Sequence, residues 1–132
     1  MTGAAVTDGP SAAIRVPADP AALALVRLFA TAIGREADLA EEDVEDLKLT
    51  LTEVCSAAIE AATGDHDVVT LEVGWSADPV ELDVHVVSSS RFSTGDPVSS
   101  DRAVLLDALG VKLRATDGGR GVVFAPTLAT SP

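Results

Sequence analysis

Residues 42–62 constrain this chain more than any other stretch. Within DVEDLKLTLTEVCSAAIEAA, apolar side chains fall at Val44, Leu47, Leu51, Val54, Ala58 and Ala62, with Cys55 and Ile59 beside them. Steps of three and four set these residues in one stripe along a helix. Thr63-Gly64 supplies the expected stop, Gly64 being suited to a left-handed C′ position. Asp46, Thr50, Glu53, Ala57 and Glu60 recur at similar steps on a second face, polar except for the gap at Ala57. The apolar stripe demands a layer to pack against. What the second face does decides the function.

The elements on either side define that layer. Ala13 to Val16 reads as a short strand, followed by Asp19 as N-cap and Pro20 at the first helical position. Ala22, Leu25, Val26, Phe29 and Ile33 then form a helical stripe ending at Gly34, and Arg27 is the one charge inside it. Beyond the central helix, Val69, Leu71, Val73 and Trp75 alternate with polar residues or threonine and glycine. After a turn at 76–79, Val80, Leu82, Val84 and Val86 alternate with Glu81, Asp83 and His85. Period two in both runs predicts an antiparallel pair with one buried face, His85 lying on the solvent side. Ser88 to Ser100 reads as a long loop, and Asp101 to Leu109 as a short helix stopped by Gly110. Val111–Ala115 and Val122–Phe124 read as two strands, with Asp117-Gly118-Gly119 turning between them. Each element has one apolar side. The economical packing is therefore an α/β two-layer sandwich, a mixed and mostly antiparallel sheet of about five strands with helices on one face. Residues 1–12 read as a disordered tail, 13–127 as one domain and 128–132 as a frayed C-terminus.

Composition narrows the function classes. Twenty-one acids against nine bases give a formal net charge of −12, which repels a phosphate backbone and argues against direct nucleic-acid binding. The same charge keeps a protein soluble or steers a basic partner towards it. No apolar run approaches the roughly 20 residues of a membrane span, and no basic segment precedes an apolar block at the start as in a signal peptide. Cys55, the single cysteine, falls on the apolar stripe and reads as a reduced core thiol of a cytoplasmic protein. His66 and His85 lack cysteine neighbours and predict no metal site. Hydrolase, P-loop and dinucleotide signatures are missing, and Gly118-Gly119-Arg120-Gly121 sits where a hairpin turn is expected.

Three strings in their order carry a resemblance: VPADPAALALVRLF, LKLTLTEVCSAAIEAA and LLDALGVKLRATDGGRGVVF. Over about residues 13–126 the chain resembles the small serine-kinase anti-sigma factors of the Bergerat-fold, or histidine-kinase-like, ATPase superfamily, most of all the actinobacterial anti-sigma-F branch. The resemblance implies the fold already inferred. It also implies a sigma-factor partner, an anti-anti-sigma antagonist that displaces it, and a possible homodimer.

Carried over by position, Glu53 matches the family's catalytic base. Where the family has an asparagine that helps hold magnesium, this chain has Ala57. Ser88 stands where an aspartate should grip the adenine amino group, and Ser90 where the first glycine should turn the chain beneath the base. The lid that should be glycine-rich corresponds to about Ser99–Ala103 and has no glycine. A hydrogen bond to a charged group contributes ~1.5–3 kcal/mol, so loss of the adenine aspartate alone removes roughly one to two powers of ten in affinity. The expectation is a binding protein with Glu53 as a catalytic remnant and with neither ATP nor magnesium as cofactor. The alternative is an active kinase that uses both. Arg27 matches a family arginine that contacts the sigma factor and is the expected partner-binding residue.

Overall fold

The sheet runs β1 (Ser11–Pro17), β2 (Val68–Ala77), β3 (Val80–Ser88), β5 (Gly121–Phe124) and β4 (Arg114–Thr116) from edge to edge. The computed structural model describes residues 9–62, 64, 66–77, 80–90, 100–126 and 128. Most of the expected tail, residues 91–99 of the expected loop and the last four residues lie outside that set. All four pairings are antiparallel, so the expected mixture resolves to a purely antiparallel sheet. Among the described residues three α-helices accompany it: α1 (Leu23–Glu36), α2 (Glu41–Ala61) and α3 (Ser100–Ala108).

One face of the sheet supplies the core. Leu71, Val73, Val84, Val86 and Val122 point to the helices and are at most 1% exposed. Leu47, Leu51, Val54, Cys55 and Ala58 of α2 meet them, as the helical period requires. Burial pushes the Cys55 thiol up to about 12, which leaves it an inert core group at neutral pH. The first strand begins at Ser11, two residues earlier than expected, because its register on β2 runs from Ser11 opposite Gly74 to Pro17 opposite Val68.

Asp19 caps the helical entry as expected, its carboxylate accepting from the Ala21 N–H at 2.8 Å. A 3-10 turn, Pro20–Ala22, comes first, and α1 then continues through Gly34 instead of stopping there. Gly34 serves packing: a Cβ there would lie 2.8 Å from a methyl of Val44, so its absence lets α1 and α2 approach. The stop comes at Asp38, a left-handed residue with φ 58°. Leu39 N–H bonds to Gly34 C=O at 2.9 Å and Asp38 N–H to Arg35 C=O at 3.2 Å, a Schellman arrangement built without glycine. Gly64 likewise is not the C′ residue of α2. The chain leaves the helix extended at Ala62, and the Gly64 N–H donates to Asp67 at 2.8 Å.

Leu25 departs from its expected place. Val26, Ala30 and Ile33 form the buried stripe of α1, whereas Leu25 is 53% exposed. The strand expected over Val111–Ala115 is also shorter: Val111 is buried but precedes β4, which starts only at Arg114.

His85 lies on the outer face of the sheet, yet it is only 7% exposed, so the solvent-facing reading is corrected. The turn after β4 folds over it. Asp117 Oδ2 lies 2.8 Å and Thr116 Oγ1 3.3 Å from its Nε2, while Glu72 of β2 faces Nδ1 at 3.2 Å. Asp117 has φ 56°, a left-handed conformation that costs energy for an aspartate and is held here by these bonds. The Thr116 hydroxyl, and next the His85 ring, hold the Asp117 carboxyl below the usual carboxylate range. A depressed folded-state value contributes stability above the unfolded pKa of about 3.9 and loses it as pH falls through the folded value. Asp117→Asn tolerates the same backbone. It should therefore flatten the acid limb of the unfolding midpoint below about pH 4, measured by urea titration across pH; an unchanged limb would mean that other carboxylates set it.

Candidate functional site

Helical geometry alone sets the frame. Glu53, Ala57 and Glu60 follow at steps of four and three, so two carboxylates flank a methyl group on one face of α2. That face is less solvated than its polar sequence suggests. Thr50 is 2% exposed with its hydroxyl turned back to Asp46 C=O at 2.8 Å, and Ala57 is 6% exposed.

Arg102 of α3 reaches over it. Arg102 Nε donates to Glu53 Oε1 at 3.0 Å, and its two terminal nitrogens donate to the two oxygens of Glu60 at 3.2 and 3.0 Å. The Arg102 side chain is 14% exposed against 26% for Glu53 and 65% for Glu60, so the fork sits half out of water and its bonds are stronger than those of a free surface pair. The Arg102 guanidinium, by direct hydrogen bonds, holds the Glu60 carboxyl below the usual carboxylate range. Glu60 in turn raises Arg102 further above its ordinary value.

Ser88 closes β3 on the inner face and is 2% exposed. Its hydroxyl accepts from the Ser90 N–H at 3.1 Å, an ST-turn, and its own N–H donates to Arg120 C=O at 2.7 Å. The carboxylate nearby belongs to Asp67, which accepts from the Ser89 hydroxyl at 3.0 Å, the Ser90 hydroxyl and the Gly64 N–H. Ser89 also accepts from the Val68 N–H at 2.9 Å. Where an adenine-binding aspartate was sought, a serine turn is knotted to the strand ends instead.

Arg27 stands apart from this cleft, on α1. It is exposed, and among the described residues its guanidinium makes no ion pair. Exposed Leu25 and Leu28, at 53% and 67%, share the solvent side of that helix. The structure thus unites Glu53 and Ala57, places Ser88 and Ser90 at the end of β3, and leaves Arg27 as part of a separate surface. Sequence reasoning missed Arg102, Glu60 as its main partner, and Asp67. One signal was available: Arg102 is the only base in α3, and α2 offers two acids seven residues apart.

A cavity of about 280 Å³ opens at the other end of β3, lined by Glu81, Asp83 and Pro126 among others. Among the described residues its lining carries two carboxylates and no base, which does not suit an anion. No group of three or more potential metal-ligating side chains occurs among the described residues, and no helix there is long and apolar enough to cross a membrane.

Comparison with known proteins agrees with the topology. The profile of the histidine kinase-like ATPase domain matches residues 16–131. Among curated proteins, the serine-protein kinase RsbW of Bacillus velezensis is 24% identical over 115 residues, covering 87% of this chain and 71% of the relative.

Proposed function

From a chain that belongs to the histidine kinase-like ATPase domain family, we propose an anti-sigma factor that holds its sigma factor by protein–protein contact and needs no ATP to do so. The observation that carries the reading is the surface of α1. Arg27 is exposed and unpaired among the described residues, while Val26, Ala30 and Ile33 fix the same helix to the core. Arginine is among the residues enriched at interface hot spots. Similarity to a serine-protein kinase of the RsbW type supports partner switching, in which an antagonist protein competes for that surface in the cytoplasm.

The kinase alternative meets poor chemistry in the cleft. Ala57 offers no ligand to magnesium, and Glu53 and Glu60 are taken by Arg102. Ser88 is buried with its hydroxyl turned to Ser90. These side chains do not fit a magnesium-bound nucleotide, and no phosphoryl-transfer step is derived from them. A triphosphate would meet two carboxylates with little to neutralise it.

The test runs radiolabelled ATP with a candidate antagonist carrying an acceptor serine, with wild type and Glu53→Gln side by side. Neither should label the antagonist, and both should retain the sigma factor. Transfer by the wild type that disappears in Glu53→Gln would install the kinase.

A further inference from the structure

Arg102 is the third residue of α3 and reaches a pair of carboxylates on another helix, 49 and 42 residues away in the chain. Three charge-assisted hydrogen bonds of 3.0–3.2 Å join the two helices at this point. Little else of α3 is buried. Leu106 is 2% exposed, Leu105 and Leu109 are half-buried, and Val104 is 71% exposed. A helix of nine residues is too short to be stable by itself, so its docking must be fixed by such tertiary contacts.

We propose that Arg102 is a built-in counter-ion that ties α3 to Glu53 and Glu60 of α2, holding α3 down without a nucleotide. A nucleoside triphosphate entering there would first have to displace the guanidinium from both glutamates. It would then face Glu53 and Glu60 at short range, with the Ala57 methyl between them. Anions are excluded, and α3 is latched by the chain itself. The consequence, a cleft locked in one form while α1 holds a partner, rests on the anti-sigma reading. The latch itself does not.

Hydrogen exchange on the full chain, without any partner, tests the latch. In Arg102→Ala the Leu105–Leu109 amides should exchange about ten-fold faster or more, with β2 and β3 amides unchanged. The charge-swapped pair Arg102→Glu with Glu60→Arg should regain part of that protection, because the bond to position 60 is remade with its ends reversed while Glu53 is left facing a carboxylate. Arg102→Lys, which keeps the charge but not the fork, should fall between wild type and alanine and serves if the alanine variant unfolds. Wild-type α3 should exchange at the same rate with and without 1 mM Mg·ATP, a concentration on the order of cellular substrate levels. Unchanged α3 protection in both Arg102→Ala and Arg102→Lys would overturn the proposal. So would slower exchange in Mg·ATP, since that would mean a nucleotide takes the place of the arginine. Failure to bind a sigma factor would touch neither result.

Discussion

Replacing Arg27 with alanine should weaken the complex with the sigma factor by about 2 kcal/mol or more, roughly thirty-fold in Kd, while the thermal midpoint barely moves. The two halves of that expectation come from opposite sides of one helix. Val26, Ala30 and Ile33 are at most 3% exposed and secure α1 against α2 and the sheet, so trimming an exposed side chain leaves the fold alone. On the outer side Arg27 has no ion pair among the described residues, so a partner carboxylate or carbonyl gains its donors without breaking an internal bond. Arg27→Lys sharpens the test: an ammonium keeps the charge but loses the planar fork, and should recover only part of the affinity. Surface-binding kinetics would report the loss mainly as faster dissociation. A dissociation rate equal to wild type would return Arg27 to the ordinary surface and move the partner contact elsewhere.

The sequence made the α1–α2 layer and the central sheet legible because both follow short periods. Val69, Leu71, Val73 and Trp75 alternate, and the α2 stripe repeats at three and four; both patterns are set by backbone geometry within a few residues. What the sequence hid depends on distance along the chain. Arg102 finds Glu53 from 49 residues away and Asp117 covers His85 from 32, and no local pattern announces either. The error at Leu25 has a different origin. A helix with apolar residues on more than one side offers two possible buried stripes, and only the approach of α2 at Gly34 selects between them. Gly34 and Gly64 look like helix stops, but Gly34 serves close packing and Gly64 a loop hydrogen bond. That Ala57 carries no metal-ligating atom could be read directly. The arginine that takes up the freed carboxylates could not.

Putting the family's two residues back should cost stability and return no nucleotide site. Ser88→Asp places a carboxylate where the serine is 2% exposed, opposite Val69 and beside the serine turn. One oxygen of the new carboxylate inherits the Ser90 N–H, and among the described residues no second donor bonds to the Ser88 side chain. Ser90 also gives its hydroxyl to Asp67, so two carboxylates would converge on one residue. Burying a charge with incomplete pairing destabilises by about 3 kcal/mol, a large part of the ~5–15 kcal/mol that holds such a domain together. That corresponds to a drop of about 10 °C in the unfolding midpoint. The deficit has a sign that can be checked against pH. Burial raises the new carboxyl, so the cost is full above its folded-state pKa and shrinks as pH falls and the group protonates. Adding Ala57→Asn supplies an amide between Glu53 and Glu60, but the amide meets Arg102 before it meets a metal. The double variant should therefore be less stable than wild type at pH 7 and show no heat on calorimetric titration with Mg·ATP. Micromolar affinity in the double variant would mean that the pocket had stayed open with only two side chains missing, and the cleft would then be a dormant ATP site and not one rebuilt around Arg102.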